Sequence, residues 1–117
     1  MHPRVLIVDD HTSFRRLAVR LLRASGFVVV GEAGSAAAAL EQASELEPDV
    51  VLLDIVLPDA SGLTVADELV RRPSAPRVVL TSSRSRSDFG SVEWPPGCEF
   101  LPKHQLTGAG LAALLEK

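Results

Sequence analysis

The stretch from Val50 to Asp54 most constrains the fold, because it has the length of a strand, is apolar at four consecutive positions and ends in a carboxylate. A strand with one face in water would alternate apolar and polar side chains. A run that is apolar on both faces is typical of a parallel sheet covered by helices on both sides. Comparable runs occur at residues 4–8, 27–30, 77–80 and 99–102. The pattern therefore predicts five parallel strands.

Segments with helical periodicity lie between these runs. The first has apolar side chains at Phe14, Leu17, Ala18, Leu21 and Leu22, which is the spacing of one helix face. Further helices are predicted from residue 35 to before Pro48, over residues 63–71, and from about residue 107 onward. This alternation predicts an α/β domain whose crossovers bring the C-terminal ends of all strands to one edge. Residues 82–98 are rich in Ser, Gly and Pro, so the helix expected there is short, broken or absent.

The overall composition predicts one globular domain, residues 1–117. The net charge is −3, from 15 acidic and 12 basic side chains, whereas direct nucleic-acid binding would call for a basic surface. No apolar stretch is long enough to span a membrane, and the apolar run near the N-terminus is too short for a signal peptide. The single cysteine excludes an internal disulfide. A cytoplasmic protein is expected.

Polar side chains follow the predicted strands at their shared edge. Asp9 and Asp10 follow the first strand, Asp54 the third, Thr81 the fourth and Lys103 the fifth. Neighbouring strands lie about 4.8 Å apart, so these groups can meet around one small ligand. Carboxylates about 4 Å apart repel by on the order of 4 kcal/mol at an effective dielectric of 20. Lys103 and a divalent cation would offset this repulsion, and an all-oxygen donor set suits Mg²⁺.

This set of residues fits one kind of chemistry. A carboxylate beside Mg²⁺ can attack a phosphoryl group and form an acyl phosphate. The charge on the transferred phosphoryl group needs a metal, a cation and hydrogen-bond donors. Asp9 and Asp10 can hold the metal, Lys103 supplies the cation and Thr81 a hydroxyl. The alternative interpretation of Asp54 is an ordinary strand end in contact with water. The three histidines are too scattered along the sequence to predict a metal site.

The order of these motifs resembles the receiver (REC) domains of two-component response regulators, over essentially the whole chain. The resemblance rests on VLIVDDH, LLDIVLPDASGL, VVLTSS and FLPK. The stretch DDHTSFRRLAVRLLRASGFVVVGEA is most similar to receivers of LuxR-type (NarL/FixJ-like) regulators. The resemblance implies a flavodoxin-like doubly wound sheet of five parallel strands in the order 2-1-3-4-5.

The resemblance also implies a role for each acid. Asp54 would accept a phosphoryl group from a histidine kinase or a phosphotransfer protein. Asp10 and the backbone carbonyl of Val56 would bind Mg²⁺ beside Asp54, with Asp9 binding through a metal-bound water. The protein would not be an enzyme in the usual sense, because its phosphorylation and dephosphorylation take place on Asp54 itself.

The remaining implied roles concern phosphate binding and the conformational switch. Thr81 and Lys103 would bind the phosphoryl oxygens, and Thr81 with Phe100 would form the switch. His104 stands where many receivers have a proline after the lysine, so the usual turn there is not expected. The output partner would be another protein or a fused DNA-binding domain outside this chain, and a dimer is compatible with the family.

Two other interpretations remain open from the sequence. A receiver fold with an altered output face would be a protein-interaction module that works without phosphorylation. Enzymes acting on a separate substrate fit less well: Val56 stands where aspartate-dependent phosphatases need a second acid, and the glycine-rich turn of dinucleotide binders is absent. Apolar Val56 is also a poor group for orienting water, which predicts slow hydrolysis of a phosphorylated Asp54.

Overall fold

The computed structural model describes residues 2–90 and 93–116 of the chain. Its strands are Arg4–Val8 (β1), Val28–Ala33 (β2), Val50–Asp54 (β3), Arg77–Thr81 (β4) and Cys98–Phe100 (β5). Its α-helices are Thr12–Ala24 (α1), Ala36–Leu46 (α2), Gly62–Val70 (α3) and Gly108–Leu115 (α4). Short 3-10 turns occur at Arg86–Phe89 and Lys103–Gln105. The predicted alternation of strands and helices is confirmed.

The five strands form one parallel sheet in the order β2-β1-β3-β4-β5, as the sequence predicted. The register sets Val8 beside Leu53 and Asp54 beside Thr81. The C-terminal ends of β1, β3 and β4 therefore lie next to one another at one edge of the sheet. This is the edge at which ligands bind in open α/β sheets.

Helices cover both faces of the sheet, and each face has its own apolar core. On one face, α2 and α3 pack against the sheet, and Ala36, Ala39 and Ala43 are the buried positions of α2. On the other face, α1 and α4 pack through residues that include Leu22 and Leu111. Burying a leucine side chain contributes about 1.5–3 kcal/mol, and such contributions offset much of the conformational entropy lost on folding.

One prediction for α1 is wrong. Leu17 belongs to the apolar stripe in the sequence, yet 49% of it is exposed. Ala18 and Leu22 form the buried line of the helix, and Phe14 and Leu21 flank it half-buried. The apolar face that the sequence predicts for α1 is wider than the part of the helix that the sheet covers. Leu17, at the edge of that face, therefore remains exposed to water.

The connection between β4 and β5 contains no α-helix among its described residues, in agreement with the prediction from residues 82–98. The one helical turn in the described part of this connection is Arg86–Phe89. Trp94 packs edge-on against Phe89 and Phe100, with ring centroids 6.0 and 5.3 Å away, and the guanidinium of Arg86 lies 3.9 Å from its ring centroid. Trp94 and Phe89 thus contact the core on the same face as α2 and α3.

Candidate functional site

Backbone hydrogen bonds extend the sheet pairing past the strand ends and fix the residues that follow them. Three such bonds, each 3.0 Å long, run from the N–H groups of Asp9, Ile55 and Lys103 to the carbonyls of Ala33, Thr81 and Ser82 respectively. Because the site residues are attached to the sheet through their own backbone, their spacing follows from strand register rather than from loop conformation.

The structure brings Asp9, Asp54 and Lys103 into direct contact. The Lys103 ammonium lies 2.5 Å from Asp9 Oδ2 and 3.1 Å from Asp54 Oδ2. Asp9 is completely buried, and only 3% of Asp54 is exposed. One lysine therefore bridges two carboxylates that have almost no contact with water, and it neutralises part of their mutual repulsion.

The pKa of the Asp54 carboxyl is raised above its ordinary value. Burial is the largest cause, and the negative charge of Asp9 adds to it. The Val56 N–H, which donates to Asp54 Oδ1 at 3.1 Å, and the Lys103 ammonium oppose the shift. The ionised form of Asp54 thus carries a free-energy cost in the folded protein that a neutral side chain would not have.

We expect Asp54→Asn to raise the free energy of unfolding at neutral pH by on the order of 1 kcal/mol, because amide and carboxylate are isosteric and the amide carries no charge. The pKa of Asp54 is higher in the folded protein than in the unfolded chain. The stability that Asp54 contributes is therefore complete at a pH below its pKa in the unfolded chain, and it is lost as the pH rises through its pKa in the folded protein. The difference in the free energy of unfolding between Asp54→Asn and the unmodified protein should therefore increase as the pH rises between these two pKa values. Urea unfolding of both proteins between acidic and neutral pH, without divalent cations, measures it; a constant difference would contradict the explanation.

Lys103 keeps its charge despite being partly buried. Burial alone would lower the pKa of its ammonium group, but the carboxylates of Asp9 and Asp54 more than compensate, so the pKa is raised. Its ammonium also lies 4.7 Å from the centroid of the Phe14 ring, a cation–π distance. The positive charge is thus fixed between β1 and β3.

Thr81 and Ser82 bring hydroxyl groups to the same edge of the sheet. Both residues are buried, with 1% and 2% exposure. Ser82 Oγ accepts a hydrogen bond from the Arg84 N–H, whereas Thr81 Oγ1 has no hydrogen-bond partner among the described residues. An unpaired buried hydroxyl is costly, so it marks a position where a polar ligand would complete the bonding.

The acidic groups fit a divalent cation. Asp9, Asp10, His11 and Asp54 each offer one donor atom, and these atoms all lie within 4.8 Å of one another. Carboxylate oxygens are the donors that Mg²⁺ prefers, and Mg²⁺ usually keeps several waters besides one or two carboxylates. Asp10 is partly exposed, which leaves one side of the cluster accessible to water. The chemistry of the donor set agrees with the Mg²⁺ site that the sequence suggested.

The loop after β3 contacts the Asp54 carboxylate through its backbone. Val56 donates its N–H to Asp54 Oδ1, while 56% of Val56 is exposed. Gly62, the first residue of α3, donates its N–H to the Ile55 carbonyl at 2.7 Å. A Cβ atom at Gly62 would overlap the Asp54 carbonyl oxygen and lie 2.8 Å from Ile55 Cα. Only glycine allows α3 to begin this close to the backbone of Asp54.

Sequence reasoning missed several residues that shape the site. Asp59 accepts hydrogen bonds from the N–H groups of Ala36 and Ala37 at 2.8 and 3.0 Å, and these bonds lower its pKa while joining the β3–α3 loop to the start of α2. Arg15 donates to the Asp9 carbonyl and pairs with Glu32 at 3.2 Å. Asp59 and Glu32 lie 22 and 17 residues from Ala37 and Arg15 respectively, so no local motif predicts these two contacts.

Phe100 lies in β5, directly opposite Leu80 of β4. Leu80 immediately precedes Thr81. Thr81 and Phe100, the two residues of the predicted switch, are therefore connected through the pairing of Leu80 with Phe100 and one peptide bond. Phe100 is half-buried and packs against Trp94. Its predicted role as a switch requires movement and stays a prediction.

The fold and the arrangement of side chains at the sheet edge match a known family. Residues 5–104 match the model of the response regulator receiver domain. This chain belongs to that family. Phosphorylation-based signalling is the standard function of receiver domains, and it accounts for a buried acid held beside other acids, a lysine and a free hydroxyl.

Similar proteins support the assignment. The receiver domain is 36% identical to the chemotaxis protein CheY of Bacillus subtilis over 89 residues, which cover 76% of this chain and 74% of CheY. The solved signal receiver domain of the response regulator NarL from Mycobacterium tuberculosis superposes with a TM-score of 0.85 at 37% identity, covering 98% of this chain and 94% of that one. The predicted resemblance to NarL-type receivers is confirmed.

Many relatives of this receiver domain are longer proteins. The chain is 41% identical over 107 residues to the protein-glutamate methylesterase/protein-glutamine glutaminase of Alkalilimnicola ehrlichii, which covers 88% of the chain but only 27% of that protein. The chain spans from about a quarter to two fifths of the length of the first curated relatives. Among the described residues, no helix has the length and apolar character needed to cross a bilayer.

Proposed function

We propose that this receiver domain accepts a phosphoryl group on Asp54 and is switched by it. The observation that supports this most directly is the contact of one ammonium group, Lys103, with two buried carboxylates, Asp9 and Asp54. A buried acid with a raised pKa, flanked by a cation and an oxygen-rich donor cluster, is poised for reaction rather than for stability. The phosphodonor is a histidine kinase or a phosphotransfer protein.

In the proposed reaction, a carboxylate oxygen of Asp54 attacks the phosphorus atom of a phosphohistidine. The new O–P bond forms as the P–N bond breaks, and the electron pair of the P–N bond remains on the imidazole nitrogen of the donor. Lys103 balances negative charge that gathers on the phosphoryl oxygens, and the Thr81 hydroxyl donates to one of them. Asp10, Asp54 and the Val56 carbonyl would hold Mg²⁺, with Asp9 binding it through a water, and the ion would supply further positive charge beside the phosphoryl group.

The switch follows from the position of Thr81. Its hydroxyl gains a partner when a phosphoryl oxygen is present, so the end of β4 moves toward Asp54. Phe100 lies opposite Leu80 in the sheet, and it responds by repacking against Trp94. The β4–β5 face is therefore the output surface of the proposed switch.

Several wider properties follow from the same proposal. Residues 1–117 act as a single receiver domain in the cytoplasm, where histidine kinases present their phosphohistidines. Their output passes to another protein or to a fused DNA-binding domain, and a dimer is compatible with this function. The domain itself turns over nothing but its own aspartyl phosphate.

Phosphoryl uptake with a small donor tests the function directly. Incubation with Mg²⁺ and acetyl phosphate is expected to add one phosphoryl group to the intact protein, measured by mass spectrometry. The addition should vanish in Asp54→Asn and persist in Asp67→Asn, a matched change of an α3 carboxylate that pairs with Arg71. Absence of uptake by the unmodified protein would overturn the proposal. It would favour the phosphorylation-independent interaction module, in which Trp94 and not a helix covers the output face.

Val56 is expected to slow the hydrolysis of the phosphorylated form. Its side chain is exposed beside the acceptor and has no polar group to orient an attacking water. Val56→Asn should therefore shorten the lifetime of phosphorylated Asp54, by less than the roughly hundredfold that a full general base supplies, because an amide orients water but takes no proton. Decay of the phosphorylated mass after donor removal measures this, with Val56→Ala as the apolar control. Equal lifetimes in the Asn and Ala variants would contradict the role of Val56.

A further inference from the structure

His11 occupies an unusual position at the start of α1. It is the N-cap residue of the helix, but its side chain makes no capping hydrogen bond. Instead, its Nδ1 atom lies 3.1 Å from Asp9 Oδ1 and 3.2 Å from Asp10 Oδ1. The side chain is 66% exposed, so neither packing nor burial holds the ring in this place.

The spacing of these atoms matches the edges of a coordination octahedron. Ligand atoms about 2.1 Å from a small divalent cation lie roughly 3.0 Å apart when they are neighbours in an octahedral shell. The distances from His11 Nδ1 to the oxygens of Asp9 and Asp10 are both close to that value. The donor atom of Asp54 belongs to the same cluster, whose four atoms fall within 4.8 Å of one another, so small shifts of the side chains would bring it into the shell.

Asp9 divides its two oxygens between different partners. Its Oδ2 contacts the Lys103 ammonium, whereas its Oδ1 accepts the backbone N–H of His11 at 2.8 Å and faces the imidazole. The lysine therefore lies on one side of this carboxylate and the histidine on the other. The nitrogen atom of the donor cluster, His11 Nδ1, therefore lies beside the Asp9 oxygen that faces away from the lysine.

We propose that His11 is a further ligand of the divalent cation site, binding through Nδ1, and that it biases the site toward transition metal ions. The inference rests on the proposed function only in sharing its cation site. Imidazole adds little to the binding of Mg²⁺, which prefers oxygen, but it strengthens the binding of ions such as Mn²⁺ and Ni²⁺. The identity of the bound metal thus depends on a residue directly after the acid pair.

The competing explanation is a hydrogen bond. A protonated Nδ1 would donate to Asp9 and only orient that carboxylate, with no nitrogen entering the coordination shell. Asparagine can place an amide N–H near the position of Nδ1 and preserve such a bond, but it cannot supply an imidazole nitrogen. His11→Asn therefore separates the two roles.

The test uses the full chain without a histidine tag. His2→Gln and His104→Gln are combined as a background, because these imidazoles would otherwise bind transition metals elsewhere. Binding of Mg²⁺ and Ni²⁺ is measured by calorimetry, and the ligands of bound Mn²⁺ are probed by electron spin echo modulation. We expect nitrogen coupling from a directly bound imidazole in this background, lost in His11→Asn. The Ni²⁺ affinity should fall at least about tenfold and the Mg²⁺ affinity less than about threefold.

Each outcome decides a separate point. Mn²⁺ bound without nitrogen coupling, together with equal Ni²⁺ affinity in the background and in His11→Asn, would overturn the inference even if acetyl phosphate still modifies Asp54. Nitrogen coupling that disappears in His11→Asn supports the inference even if Asp54 takes up no phosphoryl group. Failure of all three cations to bind would overturn it as well.

Discussion

Replacing Gly62 with alanine is expected to lower the free energy of unfolding by about 3 kcal/mol, the upper part of the usual range for overpacking a buried site. The added Cβ atom would overlap the carbonyl oxygen of Asp54, which is backbone and cannot rotate away. The gain of up to about 1 kcal/mol in helix propensity does not offset this clash. The start of α3 must move, and the loop that holds Asp54 moves with it, so phosphoryl uptake should fall together with stability.

Gly34 provides the matched control for this substitution. A Cβ atom there would lie 3.4 Å from the end of the Arg15 side chain, an ordinary contact with a flexible group. Gly34→Ala should change the free energy of unfolding by less than about 1 kcal/mol. Urea unfolding and the uptake assay together measure both variants. Equal stability of Gly62→Ala and Gly34→Ala would mean that α3 does not need its close approach to Asp54.

Replacing Lys103 with methionine is expected to slow phosphoryl uptake at least about a hundredfold, the usual effect of removing one group that stabilises charge in the transition state. Asp9 and Asp54 would keep their burial but lose the ammonium that lies between them. A divalent cation would then have to supply the compensating charge that Lys103 provides in the unmodified protein. Mg²⁺ should therefore bind several times more tightly to the variant, although the variant reacts more slowly.

The opposite signs of these two effects make the prediction specific. Calorimetry gives the Mg²⁺ affinity, and the rate of mass increase with acetyl phosphate gives the reactivity. Lys103→Arg is the control that keeps the charge, and it should leave Mg²⁺ affinity near that of the unmodified protein. Weaker Mg²⁺ binding in Lys103→Met would show that the lysine organises the acids rather than competing with the cation.

The sheet and its edge were predictable because both follow from local patterns. Runs such as Val50–Leu53 are apolar on both faces, which already requires a covered parallel sheet. Once the strands are parallel, the residues after them must share one edge. The contact between Asp54 and Lys103, 49 residues apart in sequence, follows from that topology without any knowledge of loop structure.

Other features depend on distances that the sequence does not encode locally. Leu17 matches the apolar stripe of α1, but the area of helix in contact with the sheet is decided by packing. His11 was interpreted as one of three scattered histidines, although its position directly after two acids was the available signal. The contact of Asp59 with the start of α2 joins segments 22 or more residues apart and depends on how the β3–α3 loop folds.

The packing around Trp94 gives this domain a built-in optical probe. Trp94 is the only tryptophan of the chain. Its indole packs edge-on against the ring of Phe100, and the guanidinium of Arg86 lies over the face of the indole. Indole emission depends strongly on nearby charge and water. Any rearrangement of β5 that separates these three groups will therefore change the intrinsic fluorescence, without a label and in real time.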